Sequence, residues 1–428
     1  MTSVFIIFIG FMVIGFPIAI AMGWGAMAPH LLGTLSIADA VYVIRTMVVG
    51  IDSTPILAIP LFILSGTFMA RGGISKKLFD VFAYVIGDRT AGLPCATVLT
   101  CLFYGAISGS GPATCAAVGA MTIPMLVSLG YDKAFVAALV AVSGGLGLII
   151  PPSISFINYG LVTGTSVTSL FAAGILPGIL IAICIMGYTY FHFKKHGEDK
   201  EKISANYKQL KARGFFGVLK DGFWALLCPV IILGSIYTGI CTPTEAAALS
   251  VIYALLVSIY GYHMIKWNEV WSYTLESLRS IAPLCLLIAM ATALGRILTL
   301  FNAPQQLAVF IQELLPGRVA FLIVLNITLL ILGMFIDGAP AILILSPLLM
   351  PIAAEYNIDP VHLGVIIVVN MTIGLASPPF GLNLFVASSM SNVEVVEIGK
   401  KSIPLIISFV VALLLITFIP QISLYLVK

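Results

Sequence analysis

The amino-acid sequence predicts an all-α integral membrane protein: about ten to twelve transmembrane helices plus two re-entrant helical hairpins, arranged as an inverted repeat with two broken helices. Three observations carry this expectation. The chain is 60% hydrophobic and 9% charged, with a mean hydropathy of +1.12, whereas a soluble domain carries roughly 25% charged residues. Apolar runs long enough to cross a bilayer recur near 3–29, 55–70, 81–104, 134–150, 168–193, 221–239, 244–263, 280–301, 319–336, 361–376 and 402–427. Finally, two stretches bear the same marks in the same order: Gly111-Pro112, Pro124, Asp132, Gly147-Leu148 and Pro151-Pro152, then Ala339-Pro340, Pro351, Asp359, Gly374-Leu375 and Pro378-Pro379. From the aspartate onward the offset is constant, and one gapped residue upstream aligns Pro112 with Pro340. Helix-breakers at matching places in two halves of a membrane protein point to a transporter's midplane site.

The first apolar segment, Ser3 to Ala28, is too long and glycine-rich for a cleaved signal and is expected to stay as a helix. It opens a first half at 1–193, with a hairpin at about 103–127 and a broken helix at about 134–164. Eight of the 21 Lys and Arg residues fall between Lys194 and Lys220. Basic loops stay on the cytoplasmic side, so 194–215 is expected to be a cytoplasmic basic linker. The second half, 216–428, has a hairpin at about 331–354 and a broken helix at about 361–391. Opposite orientation of the two halves follows if each crosses an odd number of times.

The hairpin tips are Ser108-Gly109-Ser110-Gly111-Pro112-Ala113-Thr114 and Asp337-Gly338-Ala339-Pro340. Apolar segments of about a dozen residues flank each, too short for a core about 30 Å thick, so the chain is expected to enter and turn back. Glycine permits the turn, and proline starts the returning half-helix.

In the broken helices, Ser143-Gly144-Gly145-Leu146-Gly147 runs to Pro151-Pro152-Ser153, and Asn370-Met371-Thr372-Ile373-Gly374 runs to Ser377-Pro378-Pro379. A Pro-Pro pair removes two backbone donors, which frees carbonyl oxygens nearby. Such oxygens, with Ser, Thr or Asn side chains, suit a hard cation such as sodium, and the restarting half-helix turns its positive end toward an anion. A single such match is commonly a packing glycine beside a kink; its recurrence after each tip favours a functional reading.

Asp337 ends a strongly apolar run, and a carboxylate there is expected to hold a cation or contact substrate. The seven cysteines form no CxxC pair and are expected to be buried small hydrophobes. The five histidines lack ligand spacing, so no transition metal is expected. A net charge of +3 gives no reason to expect nucleic acid. No phosphate-binding Gly-rich loop followed by Lys appears, so an ion gradient rather than ATP is the expected driving force.

Four motifs add a resemblance. Ala58-Ile59-Pro60-Leu61-Phe62-Ile63-Leu64-Ser65-Gly66, the Ser108 to Thr114 tip, Leu170-Phe171-Ala172-Ala173-Gly174-Ile175-Leu176-Pro177-Gly178 and Thr242-Pro243-Thr244-Glu245-Ala246-Ala247 together resemble the large membrane (M) subunit of a TRAP (tripartite ATP-independent periplasmic) transporter. The resemblance covers essentially the whole chain, and the Gly105-Ala106-Ile107-Ser108 stretch with Gly111 is similar to the sialic-acid branch. It implies a bacterial inner-membrane symporter that is not an enzyme, imports a carboxylate delivered by a soluble periplasmic binding protein, and takes two or more sodium ions and no other cofactor. It also implies a small four-helix membrane subunit as partner, expected to be a separate polypeptide. Carried over by residue, one sodium site falls on Ser108, Gly109 and Ser110 with Ser143, Gly145 and Gly147. The other falls on Asp337 and Gly338 with Asn370, Thr372 and Gly374. Substrate is expected near Ser110, Thr114, Ser153, Ser155, Asp337 and Asn383.

The expected mechanism is elevator-type alternating access, with hairpins and broken helices moving as one body. N-acetylneuraminate is the first substrate expectation and a C4-dicarboxylate the second. Rival readings are a stand-alone divalent-anion/sodium symporter, a channel, and an intramembrane serine hydrolase using a tip serine with His362 as base.

Overall fold

The computed structural model describes residues 2–34 and 39–427. In the first half lie α1 (Thr2–Val13), α2 (Ile18–Leu31), α3 (Ala40–Ile51), α4 (Ala58–Arg71), α5 (Ile74–Ile86), α6 (Gly92–Ser108), α7 (Gly111–Ser128), α8 (Lys133–Gly144), α9 (Ile154–Thr163) and α10 (Val167–His196). Next come α11 (Lys200–Ala212), α12 (Phe215–Tyr237), α13 (Pro243–Leu256), α14 (Val270–Leu300), α15 (Ala303–Leu314), α16 (Arg318–Phe335), α17 (Gly338–Glu355), α18 (Pro360–Leu375), α19 (Leu382–Ser391), α20 (Val395–Phe418) and α21 (Gln421–Leu424). No strand occurs among the described residues, and nine of the helices described are long and apolar enough to cross a membrane.

The first expected helix is instead two. Gly15 has φ +94° and Pro17 has no N–H to give, so the chain turns back after α1. Gly25 of α2 then lies against Phe8, where a Cβ would stand 3.1 Å from the Phe8 Cβ. The basic linker also holds more structure than expected. Residues Lys200–Ala212 form a helix capped by the Asp199 side chain, which accepts from the Lys202 N–H at 3.3 Å. Tyr207 donates to the Tyr84 carbonyl at 3.2 Å and Arg213 reaches Asp80 at 3.0 Å, so this helix is pinned to α5.

The hairpin arms are longer than the dozen residues expected. They run 17, 18, 18 and 18 residues in α6, α7, α16 and α17. At 1.5 Å per residue an 18-residue arm covers about 27 Å, close to the core thickness, so arm length does not by itself argue for re-entry. In α6 the difference arises because Thr97 and Thr100 donate their hydroxyls to the Leu93 and Ala96 carbonyls and so do not interrupt the helix, which begins at Gly92. The first tip is nevertheless deep in the protein, with Ser108, Gly109 and Gly111 buried.

The two repeated aspartates start the broken helices. Asp132 caps α8, accepting from the Ala134 N–H at 3.0 Å, and Asp359 caps α18, accepting from Val361 at 2.8 Å and His362 at 3.2 Å. Each first piece ends before its Pro-Pro pair, and both Pro-Pro bonds are cis. α9 and α19 resume the path. Around the breaks most polar groups find local partners: Leu146 O accepts from Ile149 and Ile150, and Gly374 O accepts from Ser377. The Thr242-Pro243-Thr244-Glu245 motif is a capping box at the start of α13, with the Glu245 carboxylate accepting from the Thr242 N–H at 2.8 Å.

Candidate functional site

Each hairpin packs on the broken helix that follows it, through a glycine on each element. A Cβ on Gly105 of α6 would stand 2.6 Å from the Gly147 Cα, and one on Gly374 of α18 would stand 2.3 Å from the carbonyl carbon of Gly333 in α16. The backbones touch, which only glycine allows. The broken helices also meet each other: a Cβ on Gly145 would stand 2.6 Å from the Thr372 Cγ2. Gly145 and Thr372 occupy equivalent positions of the repeat.

The first tip is held closed by its own hydroxyls. Ser108 Oγ lies 2.7 Å from Thr114 Oγ1, which donates to the Ser110 carbonyl at 2.8 Å. Gly109, at φ +62°, lies against the first break, and its carbonyl accepts from the Ile154 N–H at 3.3 Å. Gly147 faces the same tip, since a Cβ there would stand 2.8 Å from the Ser110 carbonyl oxygen. Thus Ser108, Ser110, Thr114 and Gly147 come together. Glycines of two other motifs pack beside the first tip and the first break. Gly66 lies against Ser108, and a Cβ on Gly174 or Gly178 would run into Ile149 O or the Ile150 side chain.

Several expected substrate hydroxyls are engaged locally. Ser153 donates to the Leu148 carbonyl and caps α9 by accepting from Phe156 at 3.2 Å. Ser155 is buried in the first turn of α9. Asn383 is fully buried, and its Nδ2 donates to the Ala141 carbonyl at 2.9 Å, which ties α19 to α8. In that orientation its free group is the amide oxygen, which suits a cation or a donor better than a carboxylate.

The second tip is built differently. Gly338 lies against the second broken helix, 3.6 Å from Met371 if given a Cβ. Asp337 starts α17 but is exposed rather than buried, and its side chain caps no N–H there. Beside it Phe335 and Phe380 are also exposed, with ring centroids 5.8 Å apart.

Six buried side-chain oxygens among the described residues have no hydrogen-bond partner in the protein, and four fall one on each half-helix: Ser143 Oγ on α8, Asn158 Oδ1 on α9, Asn370 Oδ1 on α18 and Asn383 Oδ1 on α19. An orphaned buried acceptor costs about 1–3 kcal/mol, so four on the broken helices call for an explanation. Ser143 and Asn370 are equivalent in the repeat. Asn370 is oriented by Asn326 of α16, whose Oδ1 accepts from Asn370 Nδ2 at 2.8 Å and from Thr417 Oγ1 at 3.3 Å. Sequence reading missed Asn158 and Asn326. Their signal was an amide inside an apolar helix, Ile154–Thr163 and Arg318–Phe335. His362 is bound elsewhere, with Nδ1 3.2 Å from Ser423 Oγ and Nε2 3.3 Å from the Thr417 carbonyl, so the structure does not pair it with a tip serine.

A family described as "Tripartite ATP-independent periplasmic transporter, DctM component" matches residues 5–422. The chain belongs to this DctM family. It is a large permease subunit of TRAP type, a transporter component rather than an enzyme, and a multi-pass protein of the bacterial inner membrane. It is 41% identical over 375 residues to the C4-dicarboxylate TRAP large permease DctM of Pseudomonas aeruginosa, covering 86% of this chain and 85% of that one. It is also 41% identical over 416 residues to the isethionate TRAP permease DctMQ of Oleidesulfovibrio alaskensis, covering 97% of this chain but spanning 64% of that relative's length. The sialic acid large permease SiaM of Vibrio cholerae is 32% identical over 418 residues, with 98% of this chain and 96% of that one covered. Among solved structures, the Alcanivorax borkumensis YdaH transporter shares the fold, with a TM-score of 0.62 at 17% identity and 100% of both chains covered. In this TRAP permease the glycine contacts and the orphaned oxygens occupy the same layer of broken helices.

Proposed function

We propose that this permease subunit moves an organic acid inward, driven by sodium, with the broken helices as the ion-binding layer. The observation that carries the reading is the set of partnerless oxygens on Ser143, Asn158, Asn370 and Asn383. Uncharged oxygens at breaks satisfy a hard monovalent cation without a permanent buried charge. One ion belongs beside the first tip, with Ser108, Gly109, Ser110, Ser143, Gly145 and Gly147. A second belongs beside the other tip, with Asn370, Thr372 and Gly374 and with Asp337 and Gly338 at its edge. The substrate lies between, near Ser110, Thr114, Ser153, Ser155 and Asp337, with the Asn383 oxygen accepting from a donor group of the substrate rather than meeting its carboxylate.

The two hairpins and two broken helices form the mobile body of an elevator, because their glycine contacts bind them to one another. The two repeats, 1–193 and 216–428, each supply one hairpin and one broken helix to it. Coupling then requires that substrate bind well only after sodium has ordered the tips. A small membrane subunit and a periplasmic binding protein complete the transporter. One relative named for C4-dicarboxylate and one for isethionate match at 41%, two others named for C4-dicarboxylate at 34%, and one named for sialic acid at 32%. That order favours a small organic anion over N-acetylneuraminate as cargo.

The test is uptake into proteoliposomes holding this chain and its small subunit, with the binding protein outside. A panel of succinate, isethionate and N-acetylneuraminate is offered under sodium or potassium gradients. Uptake of one acid requiring both sodium and the binding protein is expected. Uptake without the binding protein would turn the reading toward a stand-alone symporter, and uptake indifferent to sodium would end it.

A further inference from the structure

A cavity of about 550 Å³ opens between the Gly72-Gly73 turn, the first turns of α5, Arg213 just past the end of α11, the first half of α12, and Tyr262 beyond α13. Its wall carries four cations, Lys76, Lys77, Arg213 and Lys220, against two carboxylates, Asp80 and Asp221. Both carboxylates are already matched. Arg213 lies 3.0 Å from Asp80 and also bonds Asp221, and Lys77 Nζ lies 3.4 Å from Asp221. Lys76 and Lys220 form no ion pair among the described residues, and both are exposed at the cavity. The wall therefore has two cations in excess.

We propose that this cavity binds the phosphate headgroup of an anionic phospholipid of the cytoplasmic leaflet. The positive-inside rule places this end of the protein at the cytoplasmic face, because the Lys194 to Lys220 cluster ends here. Basic pockets between membrane helices on that side suit anionic headgroups. The surface leading away from the cavity fits acyl chains rather than water. Along α12, Phe223, Trp224 and Val230 are exposed, and Trp224 itself lines the cavity. Tyr260 and Trp267, also exposed, supply the amphipathic rings that settle at headgroup level. Inorganic phosphate shares the headgroup's chemistry but has nothing to lay against this apolar strip.

The test uses the full chain purified in a neutral detergent and native mass spectrometry with added phosphatidylglycerol, phosphatidylcholine or inorganic phosphate. One phosphatidylglycerol is expected to stay bound at collision energies that strip phosphatidylcholine. The double variant Lys76→Gln/Lys220→Gln is expected to lose about tenfold in phosphatidylglycerol affinity, with phosphatidylcholine adducts unchanged. Its elution volume and melting temperature check that it is folded, and Lys400→Gln, on α20, serves as a remote charge control. Equal retention of the two lipids, or full phosphatidylglycerol binding by the double variant, overturns the proposal. Displacement of the bound lipid by millimolar inorganic phosphate would overturn the lipid assignment in favour of a soluble anion. None of these outcomes depends on sodium coupling.

Discussion

Gly145 and Thr372, equivalent positions of the two repeats, lie against each other where the broken helices meet; a Cβ on Gly145 would stand 2.6 Å from the Thr372 Cγ2. Equivalent residues can touch only at the centre of a two-part repeat. Around that point lie Ser143 and Asn370, two residues upstream in each copy, with partnerless oxygens. The layout gathers polar groups inside a core of apolar helices, where burying them is costly and function the usual reason.

The backbone contact of Gly374 with Gly333 leaves no room for a methyl group. Gly374→Ala is expected to lower stability by about 1–3 kcal/mol through overpacking. Gly187→Ala, at a site with nothing within 4 Å of a Cβ, is expected to leave it unchanged or slightly raised. Thermal unfolding of the detergent-solubilised variants reads the difference, and equal melting temperatures would remove the packing argument.

On the proposed sodium sites, removing one ligand is expected to weaken sodium activation of uptake by about tenfold, equivalent to about 1.4 kcal/mol. Ser143→Ala and Asn370→Ala each test it in the reconstituted transporter. The sodium concentration giving half-maximal rate should rise in both, while substrate affinity of the binding protein is unchanged.

Asn326 acts through Asn370 by taking its amide hydrogen, which fixes the Asn370 oxygen as the free group. Asn326→Leu should therefore raise the sodium requirement, less than Asn370→Ala does. The double variant should be no worse than Asn370→Ala alone, because the two residues act as one unit. Additive losses would show that Asn326 works independently.

Asp132 gives a pH dependence outside the membrane-spanning segments. Partial burial pushes its carboxyl up, but hydrogen bonds from Lys401 and the Ala134 N–H outweigh it and hold the carboxyl below its ordinary value. The pair is 2.8 Å apart and both side chains are about half exposed, so its worth is about 0–1 kcal/mol. A lowered carboxyl stabilises fully above the unfolded value of about 3.9 and loses that contribution as pH falls through the lower folded value. Melting of the wild type and Asp132→Asn between pH 6 and 3 should show a constant gap that closes only in the most acidic samples.

Sequence and structure agree best where a residue type has a single conformational meaning. Pro151-Pro152 and Pro378-Pro379 cannot continue a helix, so both breaks were legible. Asp132 and Asp359 were legible as matching marks, though which N–H groups they cap is set by the local turn. The length of the hairpin arms was not legible, because α6 is buried around most of its circumference and shows no amphipathic stripe to mark where it starts. The exposure of Asp337 escaped for a related reason: position after an apolar run does not say whether a turn opens outward. The amides of Asn158 and Asn326 also stood out only by residue type, and which atom each leaves free is a matter of packing.

The most direct measurement is equilibrium binding of radioactive sodium to the purified chain and to Ser143→Ala/Asn370→Ala. About two ions per wild-type chain, and loss of that binding in a double variant that still melts cooperatively, is the predicted result. Undiminished sodium binding by the folded double variant would contradict the account.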